Sequence, residues 1–124
     1  MDQALLLLMY YQMAQKVVQH ANGSCHMYTG YHQHGYGMIR KTINGKSYKI
    51  YVHQLAKLHQ LNLISVPAGL VTSHLCHNKS CVNPNHINFE TQGINNNRNM
   101  CRNEGICFQH HDEIGNLLPN CIFF

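Results

Sequence analysis

Acidic residues are scarce. Five Asp and Glu occur in 124 residues, and none lies between Asp2 and Glu90. The same interval carries Lys16, Arg40, Lys41, Lys46, Lys49, Lys57 and Lys79. Ordinary soluble surfaces intersperse both signs of charge, so this acid-free span excludes a mixed-charge face and fits one that binds a polyanion. Each cation set near a phosphate releases condensed counterions. Long hydrophobic runs are missing too. The apolar stretch 4–11 is too short to span a bilayer and has no basic segment before it, which argues against a membrane anchor or a secretion signal. Internal repeats and low-complexity linkers are absent, and the length reads as one domain, small enough for bound metal to help hold it together.

Without an oxidising compartment, six cysteines interleaved with eleven histidines point to metal rather than to three disulfides. The densest pattern is SHLCHNKSCVNPNHINFETQGINNNRNMC, residues 73–101. Within it Cys76, Cys81 and His86 form Cys-x4-Cys-x4-His, a thiolate and imidazole set suited to tetrahedral zinc. His74 stands directly before this set and is itself a conceivable fourth ligand.

Residues 2–22 read as an amphipathic helix with Asp2 as N-cap and Asn22-Gly23 as the stop. Residues 36–53 read as a β-hairpin, because Asn44-Gly45 suits a two-residue type I′ turn. That turn sets Ile43 opposite Lys46 and fixes the rest of the register by counting. One face then pairs Thr42 with Ser47, Arg40 with Lys49 and Met38 with Tyr51. The other pairs Lys41 with Tyr48, Ile39 with Ile50 and Gly37 with Val52. The first face is polar and basic, the second mostly apolar. Like charges directly opposed on a sheet are unfavourable unless an anion lies over them, so the Arg40/Lys49 pair is a place to seat phosphate. Such a ribbon also fits the DNA major groove. A short helix 55–63 follows, broken by Pro67-Ala68-Gly69; then come a strand from Leu70, a metal loop, a strand 87–91 and a helix 94–100. On that helix Asn95, Arg98 and Asn99 share one face. A carboxamide oxygen there is a hard donor suited to Mg²⁺.

The order HLCHN, C-x-NP-x-H and NN-x-RN-x-C resembles the His-Cys box homing endonucleases, a branch of the His-Me finger (ββα-metal, HNH-like) nucleases. The resemblance is tightest over residues 73–101. It extends more loosely over 24–56, through Cys25, Thr29-Gly30, Gly35-Tyr36-Gly37, Asn44-Gly45-Lys46 and His53-Gln54-Leu55-Ala56. It implies an α/β (α+β) zinc-stabilised ββα-metal fold with an antiparallel DNA-binding hairpin in a single domain, 1–124. The regions would be an N-terminal helix (1–23), the hairpin region (24–56), the catalytic core (70–101) and a second zinc site with a tail (102–124).

By the same resemblance His74 would be the general base and Asn95 the protein ligand to one catalytic Mg²⁺. Arg40, from its hairpin position, would bind the scissile phosphate. Cys25 would join Cys76, Cys81 and His86 on one structural zinc. Cys101, Cys107, Cys121 and either His110 or His111 would hold a second, with His110 favoured by its Cys-x2-His spacing. The DNA-contacting set would be Arg40, Thr42, Ser47, Lys49, Tyr51 and Arg98. His32, His34, His53 and His59 read as ordinary polar or packing residues. The implied activity is Mg-dependent hydrolysis of double-stranded DNA by a homodimer, in which the apolar tail 117–124 would exchange between subunits. Its place of action would be intracellular and nuclear. Two rivals remain open: a DNA-binding zinc module without chemistry, and a protein-interaction zinc domain, which a steep salt dependence of DNA affinity would exclude.

Overall fold

In the computed structural model, which describes residues 1–20 and 23–123, Asp2 starts the first helix as expected. Its carboxylate accepts a hydrogen bond from the Leu5 N–H at 2.8 Å and caps α1 (Gln3–Ala14). The helix ends eight residues before the expected limit. The β-branched pair Val17 and Val18 is drawn instead into β1 (Val17–Gln19), which pairs antiparallel with β2 (His26–Tyr28). Of the expected Asn22-Gly23 stop, Asn22 lies outside the described residues. α1 buries Leu5, Leu6, Met9 and Met13 on one side.

The next sheet has three strands, β3 (His32–Gln33), β4 (Tyr36–Ile43) and β5 (Lys46–Tyr51), with β4 in the middle. Asn44 and Gly45 both have positive φ, 52° and 78°, the backbone of a type I′ turn. Counting from that turn gives the observed pairs Ile43–Lys46, Thr42–Ser47, Lys41–Tyr48, Arg40–Lys49, Ile39–Ile50 and Met38–Tyr51. The expected Gly37–Val52 pair does not form. Gly37 pairs with His32 of β3, and Val52 opens α2 (Val52–Leu61). A Cβ on Gly37 would come within 2.5 Å of both Tyr28 and Val52 side chains, so glycine is what lets these elements close on one another.

α2 begins three residues before the expected helix and stops at Asn62, not at the Pro67-Ala68-Gly69 break. Asn62 adopts the left-handed conformation (φ 56°) and its N–H returns to the His59 carbonyl. Val52, Leu55, Ala56 and Leu58 meet the α1 residues, Tyr28 and Ile50 in the main core. Val82 and Ile87 extend that core toward the last unit.

That unit is a strand, loop, strand and helix. β6 (Val71–His74) pairs antiparallel with β7 (Ile87–Glu90), one residue shorter than expected, and α3 runs from Gln92 to Glu104. α3 is longer than the expected 94–100 because Thr91 caps its start through the Ile94 N–H and Gly105 (φ 75°) ends it. The molecule is thus a mixed α/β fold with antiparallel sheets. Among the described residues no helix is long and apolar enough to cross a membrane.

Candidate metal centres and active site

The loop between β6 and β7 is shaped by side chains bonding its own backbone. Asn78 Oδ1 accepts from the Ser80 N–H at 3.1 Å, and Asn83 Oδ1 accepts from the Asn85 N–H at 3.1 Å, starting the single 3-10 turn Pro84–His86. The loop is also stitched to β2. Tyr28 N–H donates to the Ser80 carbonyl and Val82 N–H to the His26 carbonyl, while Asn83 Nδ2 donates to the Ser24 carbonyl at 2.8 Å. These bonds carry Cys25 across to Cys76, Cys81 and His86. One ligand atom from each of the four lies within 4.8 Å of the others, and all four residues are buried.

The spacing fits a tetrahedral ion. With Zn–S near 2.3 Å and Zn–N near 2.0 Å, a tetrahedron separates sulfur from nitrogen by about 3.5 Å. Cys25 Sγ and Cys81 Sγ each lie 3.5 Å from His86 Nδ1. These contacts are edges of a coordination polyhedron more than hydrogen bonds. His86 Nε2 lies 2.9 Å from Ser24 Oγ, which orients the ring with Nδ1 toward the sulfurs. Burial pushes the Cys25 thiol up to about 11, with Cys81 adding to the shift. Cys76 is raised by its hydrogen bond to Cys81 and by burial, and the same bond holds Cys81 down to about 4. A divalent cation binds the thiolate forms, so one held here would displace the thiol protons.

A second cluster joins Cys101 at the end of α3 with Cys107, His110 and Cys121, again within 4.8 Å of one another. His110 Nε2 is 3.3 Å from Cys101 Sγ and 3.8 Å from Cys121 Sγ. His111 is exposed and pairs instead with Leu117 in an isolated bridge, so the chain itself chooses His110. The two Cys3His clusters fit two structural zinc ions. His74 belongs to neither.

The last residue of β6, His74 is half-buried. Its Nε2 lies 2.9 Å from the Cys81 carbonyl oxygen. A carbonyl only accepts, so Nε2 carries the proton and Nδ1 keeps its lone pair. Burial lowers the His74 pKa, against the raising influence of the Cys81 carbonyl. The preceding residue, Ser73, donates its hydroxyl to Asn95 Oδ1 at 2.7 Å, tying α3 to the strand that carries His74. Only Asn95 of the three consecutive asparagines turns inward. Asn96 and Asn97 are exposed, as is Asn99 one turn on.

The hairpin residues Arg40, Thr42, Ser47 and Lys49 are exposed on one face, with Arg40 opposite Lys49. Tyr51 is half-buried and meets Tyr36 edge-on, ring centroids 5.7 Å apart. Arg40 lines a cleft of about 470 Å³ with Lys16, Tyr28, Tyr31, Met38 and Ile39; neither His74 nor Asn95 lines it. Arg98, expected to touch DNA, corrects the sequence reading. It is 1% exposed, and its Nε donates to both Glu90 carboxylate oxygens at 2.7 and 2.9 Å, while Nη1 reaches Cys121 Sγ at 3.5 Å. Glu90 was the missed partner. Its signal was its isolation, since a lone acid after a long basic span needs a reason to be there. The apolar tail folds back on its own chain: Ile122 N–H donates to the Leu75 carbonyl and Phe123 stacks on His77 at 5.6 Å, while Phe124 lies outside the described residues.

The geometry defines a zinc-stabilised mixed α/β protein in which a strand leading into a metal-tied loop ends on a histidine and is bonded to an asparagine-bearing helix. The family model for the zinc-binding loop region of homing endonuclease matches residues 17–123, and the chain belongs to that family. Its membership implies a nuclease-related role with DNA as partner. No curated protein matches the chain.

Proposed function

We propose that the chain is a site-specific double-stranded DNA endonuclease of the homing type, acting in the nucleus, with His74 as general base and Asn95 as protein ligand to one Mg²⁺. The observation that carries this reading is the Nε2 bond of His74 to the Cys81 carbonyl, which leaves Nδ1 unprotonated on a half-buried ring. Such a nitrogen can take a proton from an attacking water. Asn95 fits a hard cation, because one lone pair of Oδ1 is occupied by the Ser73 hydroxyl and the other remains. Bound there, Mg²⁺ would stabilise charge on the leaving 3′ oxygen. The Ser73 hydroxyl donates to Asn95 Oδ1 at 2.7 Å, which turns that oxygen rather than Nδ2 toward β6. The exposed face bearing Arg40, Thr42, Ser47 and Lys49 would enter the DNA groove, with Tyr51 at its base. There Arg40 and Lys49 would share a phosphate. Exposed Met100, Ile106, Phe108, Ile114 and Leu117 around the second cluster support a homodimer, which would cut both strands of a pseudo-palindromic site with a stagger.

One observation favours a second reading, a DNA-binding zinc module without chemistry: Arg40 lies in a cleft that His74 and Asn95 do not line. Cleavage of a diverse DNA pool by purified zinc-loaded protein with Mg²⁺, with EDTA and His74→Ala controls and sequencing of the ends, separates the two. Recurrent cuts that need both the metal and His74, lost by about 10²- to 10⁴-fold in the variant, establish the nuclease. Salt-sensitive binding without cuts establishes the module.

A further inference from the structure

His53, in the first turn of α2, read from sequence as an ordinary packing residue. Its ring lies 4.5 Å from that of His74, the planes 26° apart, and Tyr36 stacks on it in turn at 5.1 Å and 23°. His53 is 6% exposed and its Nδ1 has no hydrogen-bond partner. An aliphatic side chain would fill this volume without stranding a polar atom, so packing alone does not account for an imidazole. What the ring adds is a flat surface. The Nε2 bond to the Cys81 carbonyl fixes one point of the His74 ring and leaves its plane free to turn about that point. A near-parallel ring against it removes that freedom, and Nδ1 then has one direction. Burial and the neighbouring His74 drive the His53 imidazole down to about 3, so the stack sets no positive charge against His74.

We propose that His53 is a positioning residue that, through this stack, holds His74 Nδ1 on the line of the attacking water; the proposal rests on the reading of His74 as the base. A bond and a stack act on different degrees of freedom, and neither substitutes for the other. Tyr36 borders both rings, its centroid 5.1 Å from that of His53 and 6.0 Å from that of His74, the latter at 16°. Rings from β4, α2 and β6 thus form one cluster with planes within 26° of parallel.

The test compares wild type with His53→Ala, His53→Leu and His53→Phe by two readouts. The first is ¹⁵N relaxation of the His74 ring in zinc-loaded protein without DNA. Wild type and His53→Phe should show one rigid ring orientation, and His53→Ala and His53→Leu a ring that turns, with the Nε2–H tautomer kept in all four by the Cys81 carbonyl. The second is cleavage, where loss of the stack should lower kcat about 100-fold with KM little changed, and His53→Phe should recover most of it. Should the alanine cavity unfold the chain, the Leu–Phe comparison alone decides. A purely structural role would make Leu as good as Phe and let kcat follow thermal stability. A His74 ring as rigid in His53→Leu as in wild type overturns the proposal whether or not the protein cuts. A wild type that fails to cut while the ring motions behave as expected sinks the nuclease reading and leaves the positioning intact.

Discussion

Glu90→Gln should be among the most damaging single substitutions outside the zinc ligands. The carboxylate is 3% exposed and receives the Arg98 Nε at 2.7 and 2.9 Å. Replacing it with an amide keeps the volume but leaves a guanidinium charge buried without its counter-ion. Removing one member of a buried pair costs about 3–5 kcal/mol, against a total stability of about 5–15 kcal/mol for a small domain. At roughly 4 °C per kcal/mol for a chain of this size, the melting temperature should fall by about 15 °C. The assay is thermal and denaturant unfolding at a fixed free zinc concentration, because zinc binding and folding are linked. Arg98 Nη2 has no partner and the native pair is imperfectly satisfied, so Glu90→Leu combined with Arg98→Met should recover most of the loss. A loss under about 1 kcal/mol in Glu90→Gln, or a double variant as weak as the single one, would refute the argument. If Arg98 instead served DNA, Arg98→Met would weaken binding and leave the melting temperature alone.

Cys121→Ser should lower the zinc content from two ions per chain to one, measured by metal release to a chromogenic chelator. The remaining ion should leave at lower chelator concentration, because the next residue, Ile122, packs against the first cluster and bonds Leu75. Gly45→Ala should cost about 1 kcal/mol in a denaturant titration. Nothing lies within 4 Å of the added methyl and the cost is purely that of φ 78°, so no loss would mean the turn is not type I′. His53 should destabilise the fold in acid: its folded pKa of about 3 lies below the ordinary 6.5, so below pH 6.5 the unfolded chain binds a proton that the folded chain refuses. Stability is intact above 6.5 and falls by up to about 1.4 kcal/mol per pH unit between 6.5 and 3. His53→Phe should therefore lose about 2 kcal/mol less than wild type between pH 7 and pH 5 at saturating zinc, and equal losses would count against the buried neutral imidazole.

The parts of this molecule that could be read from sequence are those whose constraints are local. Asn44-Gly45 demands one turn type, and a two-residue turn determines six strand pairs by counting. The Cys76, Cys81 and His86 spacing lies within one loop, and the loop forms around it. Where the deciding partner is distant, reading failed. The end of α1 depends on β2, which offers Val17 and Val18 a strand to pair with. Arg98 sits on a helix whose exposed residues are almost all polar, and nothing along α3 tells it from Asn97 or Asn99; only Glu90, at the end of β7, draws it inside. His53 and His74 meet by the packing of α2 on the last unit, at a separation with no helical or strand period.

This division explains why the zinc set was easier to see than what it serves. Cys81 is the pivot. Its sulfur belongs to the first cluster, its backbone pairs with Met27 of β2, and its carbonyl receives the Nε2 proton of His74. A spacing pattern reports the sulfur and is blind to the carbonyl. Yet it is the carbonyl that selects the tautomer, and its direction is only as firm as the loop that the metal ties. The proposed base therefore depends on a structural ion it does not touch. Weakening the first cluster should loosen the His74 ring before it unfolds the chain, because most of the main core, built from α1, α2, Tyr28 and Ile50, lies on other elements and draws only Val82 and Ile87 from this unit. In a zinc titration of the metal-free protein, the Nε2–H signal of His74 should sharpen with occupancy of the first site and stay indifferent to the second once the first is full. If the signal is as sharp without zinc as with it, the loop holds its shape unaided and the ion has no part in orienting the histidine.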